Sequence, residues 1–373
     1  MLSYRKLAMR VPGRPLHTGG NDSPRPASQR AAAFILTAAM LTTLAAPAFA
    51  DTWCIENGNI TVKAGDTEGT NKVSQGSIID REDTNTIITN SDKDTASSNT
   101  VTIEANGKDD KVEVTLDNVN IDASSGSEAA VSVTGKGDTT IELDGDNELK
   151  GGYNRAGLEH NQTVAGEGNV TSGKLTIQDE NNDGSLNATG GGFGAGIGGG
   201  SAKAGQVTIT GGTITAISGD GAGIGGGQGN MGSNAGNADI EISGGTIEAT
   251  GGYTSAGIGG GYYGDATIKI TGDAVIKNAT GGAFGAGIGG GGGGNGVVTI
   301  SGNAKIENAQ GGYAGSGIGG GYGASGTVAI KDDSTVTATG GEVCAGIGGG
   351  VGGLADITIE GNATVNATGG VGS

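Results

Sequence analysis

The sequence predicts an all-β solenoid: a right-handed parallel β-helix with about 30 residues and three short strands per coil. Three observations carry the prediction. AGIGGG, or a near copy of it, returns six times, centred on Ile197, Ile224, Ile258, Ile288, Ile318 and Ile347 at spacings of 27, 34, 30, 30 and 29 residues. Self-similarity with that period marks stacked units that each bury an apolar edge on the next. Between the copies, short β-branched segments alternate apolar and variable residues, the pattern of a strand with one buried face. Glycine supplies 82 of the 373 residues, about three times the usual share of about 7%. All five prolines, Pro12, Pro15, Pro24, Pro26 and Pro47, lie in the first 50 residues, which excludes collagen, and the regular places of Val, Ile and Leu exclude a flexible linker. With 3% aromatic and 34% hydrophobic residues, one compact core would lack large side chains, whereas a thin elongated core would not.

At the N-terminus, Arg5, Lys6, Arg10, Arg14, Arg25 and Arg30 lead into the uncharged run 31–46, and Pro47 and Ala48-Phe49-Ala50 offer a small-x-small cleavage site ahead of Asp51. Residues 1–50 read as a secretory signal peptide, and the mature protein as secreted or displayed on the outer surface of a bacterium, without stable membrane insertion. The apolar run is just long enough for a signal anchor, but the proline and the cleavage site argue against one. Losing residues 1–50 removes six of 21 basic and one of 39 acidic residues, leaving 15 against 38 and a net charge of −23. So acidic a surface repels nucleic acid and anionic lipid and admits cations and neutral polymers.

Residues 51–110 are expected to form an N-terminal cap and irregular first coils, and 111–373 the Gly-rich coils. One strand set runs through Val112-Glu113-Val114, Ile141-Glu142-Leu143, Leu175-Thr176-Ile177, Val207-Thr208-Ile209, Ile240-Glu241-Ile242, Ile268-Lys269-Ile270, Val298-Thr299-Ile300, Val328-Ala329-Ile330 and Ile357-Thr358-Ile359, with Ile60-Thr61-Val62 as its first member. A second set is centred on Ile214, Ile247, Ile276, Ile306, Val336 and Val365, and a third on the AGIGGG isoleucines, with Ala156-Gly157-Leu158 as a degenerate copy. Each strand pairs with its equivalent one coil later, so like side chains stack. Cys54 and Cys344 are too few for a disulfide framework. They lie eight or nine coils apart, and at about 4.8 Å per coil one bond cannot join them. The chain stops in mid-coil at Ser373; further coils, a cap and an anchor are expected beyond it, because an open coil end exposes edges ready to pair.

On the run VEVTLDNVNI, the segment AAVSVTGKGDTTIELDGDNEL and the recurring GAGIGGG with TITGGTITA, residues 100–373 resemble bacterial secreted right-handed parallel β-helix proteins of the carbohydrate-binding-domain, adhesin-like type. The resemblance implies a polysaccharide or a cell-surface glycan as partner. It specifies architecture more closely than activity, because such solenoids carry lyases, hydrolases, adhesins and passive stalks.

An aromatic returns four or five residues before the centre of the third strand, as Tyr153, Phe193, Tyr253, Phe284 and Tyr313, with Asp220 and Val343 as exceptions; Tyr262, Tyr263 and Tyr322 lie on its other side. Stacked coils line such rings up about 4.8 Å apart, where they can meet sugar faces or cover a corner as an apolar stack. Beside them, alternate glycines such as Gly196 and Gly198, Gly257 and Gly259, and Gly287 and Gly289 read as facing outward. Such a strip either admits a polymer to the backbone or meets the demands of a sharp corner. The expected function is binding or adhesion to polysaccharide through the aromatic row beside this strip, without catalysis. A polysaccharide lyase or glycoside hydrolase is the alternative, and a passive stalk the third reading.

Catalytic material is sparse. Arg81, Arg155 and the lysines have no carboxylate cluster recurring beside them, and Asp109-Asp110 and Asp332-Asp333 read as solvated turns rather than as the paired carboxylates of a hydrolase. His160, alone of its kind after residue 50, reads as a polar turn residue. Asp179, Asn181 and Asp183 match the opening of a calcium loop, but the twelfth position is Gly190 instead of Glu, which leaves a candidate calcium site outside the EF-hand class or a plain polar turn. No other cofactor is implied. Ice binding would require aligned outward threonines, and the first strand set offers Thr208, Glu241, Lys269, Thr299, Ala329 and Thr358, too mixed for a regular array.

Overall fold

The computed structural model describes residues 51–165, 169–229 and 236–372; the signal peptide expected at 1–50 lies outside them. Three parallel sheets enclose a single apolar core. Sheet 1 has eleven strands, from Thr52–Cys54 to Ala355–Ile359, and holds the first strand set; sheet 2 has nine, from Asn120–Asp122 to Thr364–Thr368, and holds the second. Sheet 3, with twelve, holds the AGIGGG strands, each only two residues long, as in Ile197–Gly198 and Ile258–Gly259. Successive coils pair in parallel, and such crossovers wind right-handed.

Register follows the sequence period. Ile197, Ile224, Ile258, Ile288, Ile318 and Ile347 stand opposite one another in turn. So do Ile209, Ile242, Ile270, Ile300, Ile330 and Ile359 in sheet 1. In sheet 2 a column of alanines runs from Ala188 to Ala367, small where the chain bends toward sheet 3. The β-branched columns suit strands buried on one face, and like stacked on like keeps every layer the same width.

The expected place of Ile60-Thr61-Val62 is corrected. Ile60–Ala64 belongs to sheet 3, opposite Val101, because Thr52–Cys54 already lies against Thr86–Thr89 at the edge of sheet 1. Asn71–Gln75 and Ile78–Asp83 then fold back antiparallel beside it and occupy the outer edge of sheet 3, which keeps that edge from pairing elsewhere. Cys54 and Cys344, in the first strand and in a turn of the last complete coil, are both free thiols.

Candidate functional site

At the third strand the chain pinches inward. Ala195 N–H donates to the Gly199 carbonyl at 2.9 Å, and Ala222 to Gly226, Ala256 to Gly260 and Ala286 to Gly290 repeat the bond. Each closes a short loop whose central isoleucine is fully buried. The turns on either side meet outside this loop: Ser201 N–H donates to Asn154 O, Gln228 to Phe193 O, Gly292 to Thr254 O and Tyr322 to Phe284 O, at 2.7 to 2.9 Å. The result is a seam along the solenoid, and it overturns the reading of an exposed glycine strip. Gly196, Gly198, Gly257, Gly259, Gly287 and Gly289 are all buried. Gly198, Gly225, Gly259, Gly289, Gly319 and Gly348 take φ between 128° and 142°, and a Cβ on Gly259 would collide with the Gly289 carbonyl. The corner demands glycine, and no polymer reaches it.

The aromatic residues line this seam in two columns. Tyr153, Tyr253 and Tyr313 hold the first turn position and are 66%, 62% and 56% exposed, while Phe193 and Phe284 hold the second and are half-buried. The offsets of five and four residues therefore encode outward and inward placement. Across the seam, Tyr322 is 49% exposed and Tyr262 is half-buried. Phe284 meets Tyr253 and Tyr322 edge-on, each with ring centroids 5.5 Å apart, so that one cluster spans three successive coils. Tyr262 and Tyr263 lie 4.1 Å apart, and the Tyr262 hydroxyl donates to that of Tyr263 at 3.1 Å; this bond, with burial, holds the Tyr262 phenol above its ordinary range. Gly292 and Gly293 leave room for the rings, since Cβ atoms there would come within 2.9 Å of Phe284 Cβ and 2.5 Å of Tyr263 Cδ1. Tyr153 and Phe193 stand apart, separated from the cluster by the coil that carries Asp220.

Five segments of the chain, 182–201, 207–228, 240–262, 298–322 and 328–351, match the family model of the beta helix repeat. With the three stacked sheets, these repeats make the chain a parallel β-helix. Among curated proteins and among solved structures, nothing matches it. The matched repeats include Phe193, Tyr253, Tyr262, Tyr313 and Tyr322; Tyr153 and Phe284 fall outside them. Among the described residues of the β-helix no helix is long and apolar enough to cross a membrane.

The β-helix has a second recess, on the outer face of sheet 1. Between the third strand Leu158–His160 and sheet 1, the chain makes an excursion whose short strands Val164–Ala165 and Asn169–Val170 pair antiparallel. This excursion walls a cleft of about 850 Å³ lined by Lys136, Asp138, Lys174, Gln206, Asp239 and Glu241, among others. Lys174 Nζ lies 3.2 Å and Lys269 Nζ 3.7 Å from the Glu241 carboxylate. Burial, then the charge of Glu241, pushes the Asp239 carboxyl above its ordinary range against the pull of Lys174. Asp239 and Glu241 share one strand face, about 6.6 Å apart along the backbone. Sequence reasoning missed the group because Lys174 and Glu241 are 67 residues apart and meet only through coil register.

Asp179, Asn181 and Asp183 lie together in one turn. The Asp179 carboxylate accepts the amides of Asp183 and Gly184 at 3.2 and 3.1 Å, and Asn181 Oδ1 accepts that of Asp183 at 3.4 Å. These oxygens close their own turn. Among the described residues no group of three or more His, Cys, Asp or Glu is placed to hold a metal ion. Asp109-Asp110 and Asp332-Asp333 lie in turns, as expected.

His160 is corrected from turn to core. In the degenerate copy, Glu159 and His160 stand where later coils carry glycine, and both are buried. Glu159 accepts Arg155 Nη1 and Asn161 Nδ2, both at 2.8 Å, and the Ala156 amide at 3.2 Å, which satisfies a carboxylate that would otherwise be costly to bury. His160 Nδ1–H donates to the Gln206 carbonyl at 2.7 Å, and desolvation pushes its pKa below the ordinary 6.5 although that bond opposes the shift. The folded state thus prefers the neutral ring. Its contribution to stability is present above about pH 6.5 and is lost as pH falls toward the folded-state value. Thermal melts at pH 7.5 and 5.5 should show a larger loss for the wild type than for His160→Gln; equal losses would place the acid sensitivity elsewhere.

Proposed function

We propose that this protein is exported and binds a neutral polysaccharide through the aromatic residues that line its seam. The observation that carries the reading is the exposure of Tyr153, Tyr253, Tyr313 and Tyr322, which the apolar core does not require. Exposed tyrosines offer large rigid surfaces for sugar rings at small entropic cost, and the acidic chain disfavours polyanions. The coil repeat spreads the rings along the axis, as a linear polymer requires. The export pattern at 1–50 supplies the setting in which such polymers are met.

The test is the triple variant Tyr253→Ala, Phe284→Ala, Tyr313→Ala on a glycan array beside circular dichroism melts. At about 1 kcal/mol per ring, binding should fall by about 100-fold while the coils stay folded. A folded variant that bound its glycan at full strength would remove the cluster from the function. Hydrolysis or elimination is the second reading, favoured by Asp239 and Glu241 in the sheet 1 cleft, where a carboxyl raised above its ordinary range by burial neighbours an ion-paired one. Release of reducing ends or unsaturated products from the same glycan, abolished by Asp239→Asn, would decide for it.

A further inference from the structure

Five of the nine strands of sheet 2 present an outer face unlike that of sheet 1; the other four carry Asp122, Asp146, Glu148, Lys150, Lys277, Lys305 and Glu307 outward. In Ser185–Thr189, Thr213–Ile217, Thr246–Thr250, Thr335–Thr339 and Thr364–Thr368, the first, third and fifth residues face outward, and apolar residues hold the places between them. Ten of these fifteen residues are threonine; the others are Ser185, Asn187, Ile217, Glu248 and Asn366. One charge is present. On sheet 1, Asp239, Glu241, Lys269, Lys331, Asp356 and Glu360 lie on or beside strands of the same solenoid, so strand propensity alone does not account for the threonines. Among the described residues, none of these ten hydroxyls bonds to another protein group.

The threonines are in register. Ser185, Thr213 and Thr246 stand opposite one another, as do Thr335 and Thr364, and Thr339 and Thr368. Val275–Thr280 and Lys305–Gln310 carry an extra residue each and expose Lys277, Lys305 and Glu307. They divide the face into a patch of three coils and a patch of two. Threonine is stiff at χ1, so its hydroxyl and methyl repeat at the coil spacing of about 4.8 Å. In a tetrahedral water network with oxygens about 2.75 Å apart, second-neighbour oxygens lie about 4.5 Å apart, within about 0.3 Å of that spacing.

We infer that the threonine face of sheet 2 adsorbs to crystalline water. Rigid, unbonded hydroxyls on strands whose one outward charge is Glu248 can join a lattice of neutral donors and acceptors, whereas charged side chains would hold their own hydration shells against it.

Ice-affinity partition of the whole protein tests the inference: a solution is frozen slowly, and the protein taken into the ice is compared with an inert protein of similar size. The wild type should be enriched several-fold over that control. Thr215→Lys with Thr337→Lys, one central substitution in each patch, should return it to the control level while the melting temperature stays within a few degrees, and Tyr253→Ala should leave it enriched. Wild-type protein excluded from ice like the control, or a lysine variant as enriched as the wild type, overturns the inference. Capture on cellulose or chitin that the lysines abolish, without ice uptake, overturns it in favour of a solid glycan.

Discussion

Ile258→Asp is expected to lower stability by about 4 kcal/mol or more, while Lys269→Asp, eleven residues later, changes it by about 1 kcal/mol or less. Ile258 is fully buried between Ile224 and Ile288 in the sheet 3 column. A carboxylate there finds no cation and no donor among its isoleucine neighbours, so it is buried unpaired or protonates at a cost. The layer cannot yield around it, because the coils above and below hold the same register. Lys269 is mostly exposed, and its partner is the Glu241 carboxylate at 3.7 Å. Aspartate at that place exchanges a weak surface attraction for a weak cross-strand repulsion. Urea midpoints of the two variants check the assignment; equal shifts would mean that the inward and outward faces are wrong.

Gly289→Ala should cost about twice as much as Gly323→Ala, although each adds one methyl group to a glycine of positive φ. Gly323, at φ 73°, has no atom within 4 Å of the added carbon, so its substitution brings only conformational strain of about 1–2 kcal/mol. Gly289, at φ 142°, would drive the methyl into the carbonyl of Gly319 one coil on. That carbonyl accepts the Gly290 amide at 2.9 Å, and its retreat would break the ladder. Overpacking adds about 1–3 kcal/mol to the strain. Melting temperatures that fell equally would show that φ alone, and not the closeness of the coils, keeps glycine in this column.

The period, the strand sets and the core columns were legible because one residue class returns at one spacing, as Ile197, Ile258 and Ile318 do. The face of the AGIGGG glycines was not, because alternation presumes an extended strand, and a two-residue strand closed by the Ala256 to Gly260 bond points its glycines into a seam. The aromatic row was legible in position. Its exposure lay in the difference between offsets of five and four, as Tyr253 and Phe284 demonstrate. His160 and Glu159 were obscured because a degenerate copy reads as a turn when the stacking partner Gly198 is unknown. The threonines of Thr213-Ile-Thr215 and Thr335-Val-Thr337-Ala-Thr339 were visible, but that they align on one outer face follows only from the pairing of the second strand set.

The excursion at 161–173 and the long spacing between Ile224 and Ile258 share a location. Eight residues lead from Ile197 to Gly205 and from Ile258 to Ala266, but fifteen lead from Leu158 to Gly173, two residues before the sheet 1 strand Leu175–Gln178, and fourteen from Ile224 to Ala238. Both surpluses enter at the corner where sheet 3 passes into sheet 1. Both leave the register of all three sheets undisturbed on either side. That corner is the place where this architecture accepts new sequence without refolding. An insertion there adds a wall beside a face already lined with charged side chains, as the one at 161–173 does for Lys174, Asp239 and Glu241. Novelty in such a lineage would then accumulate on one flank, while the isoleucine columns of the core would inherit their form from the repeat itself.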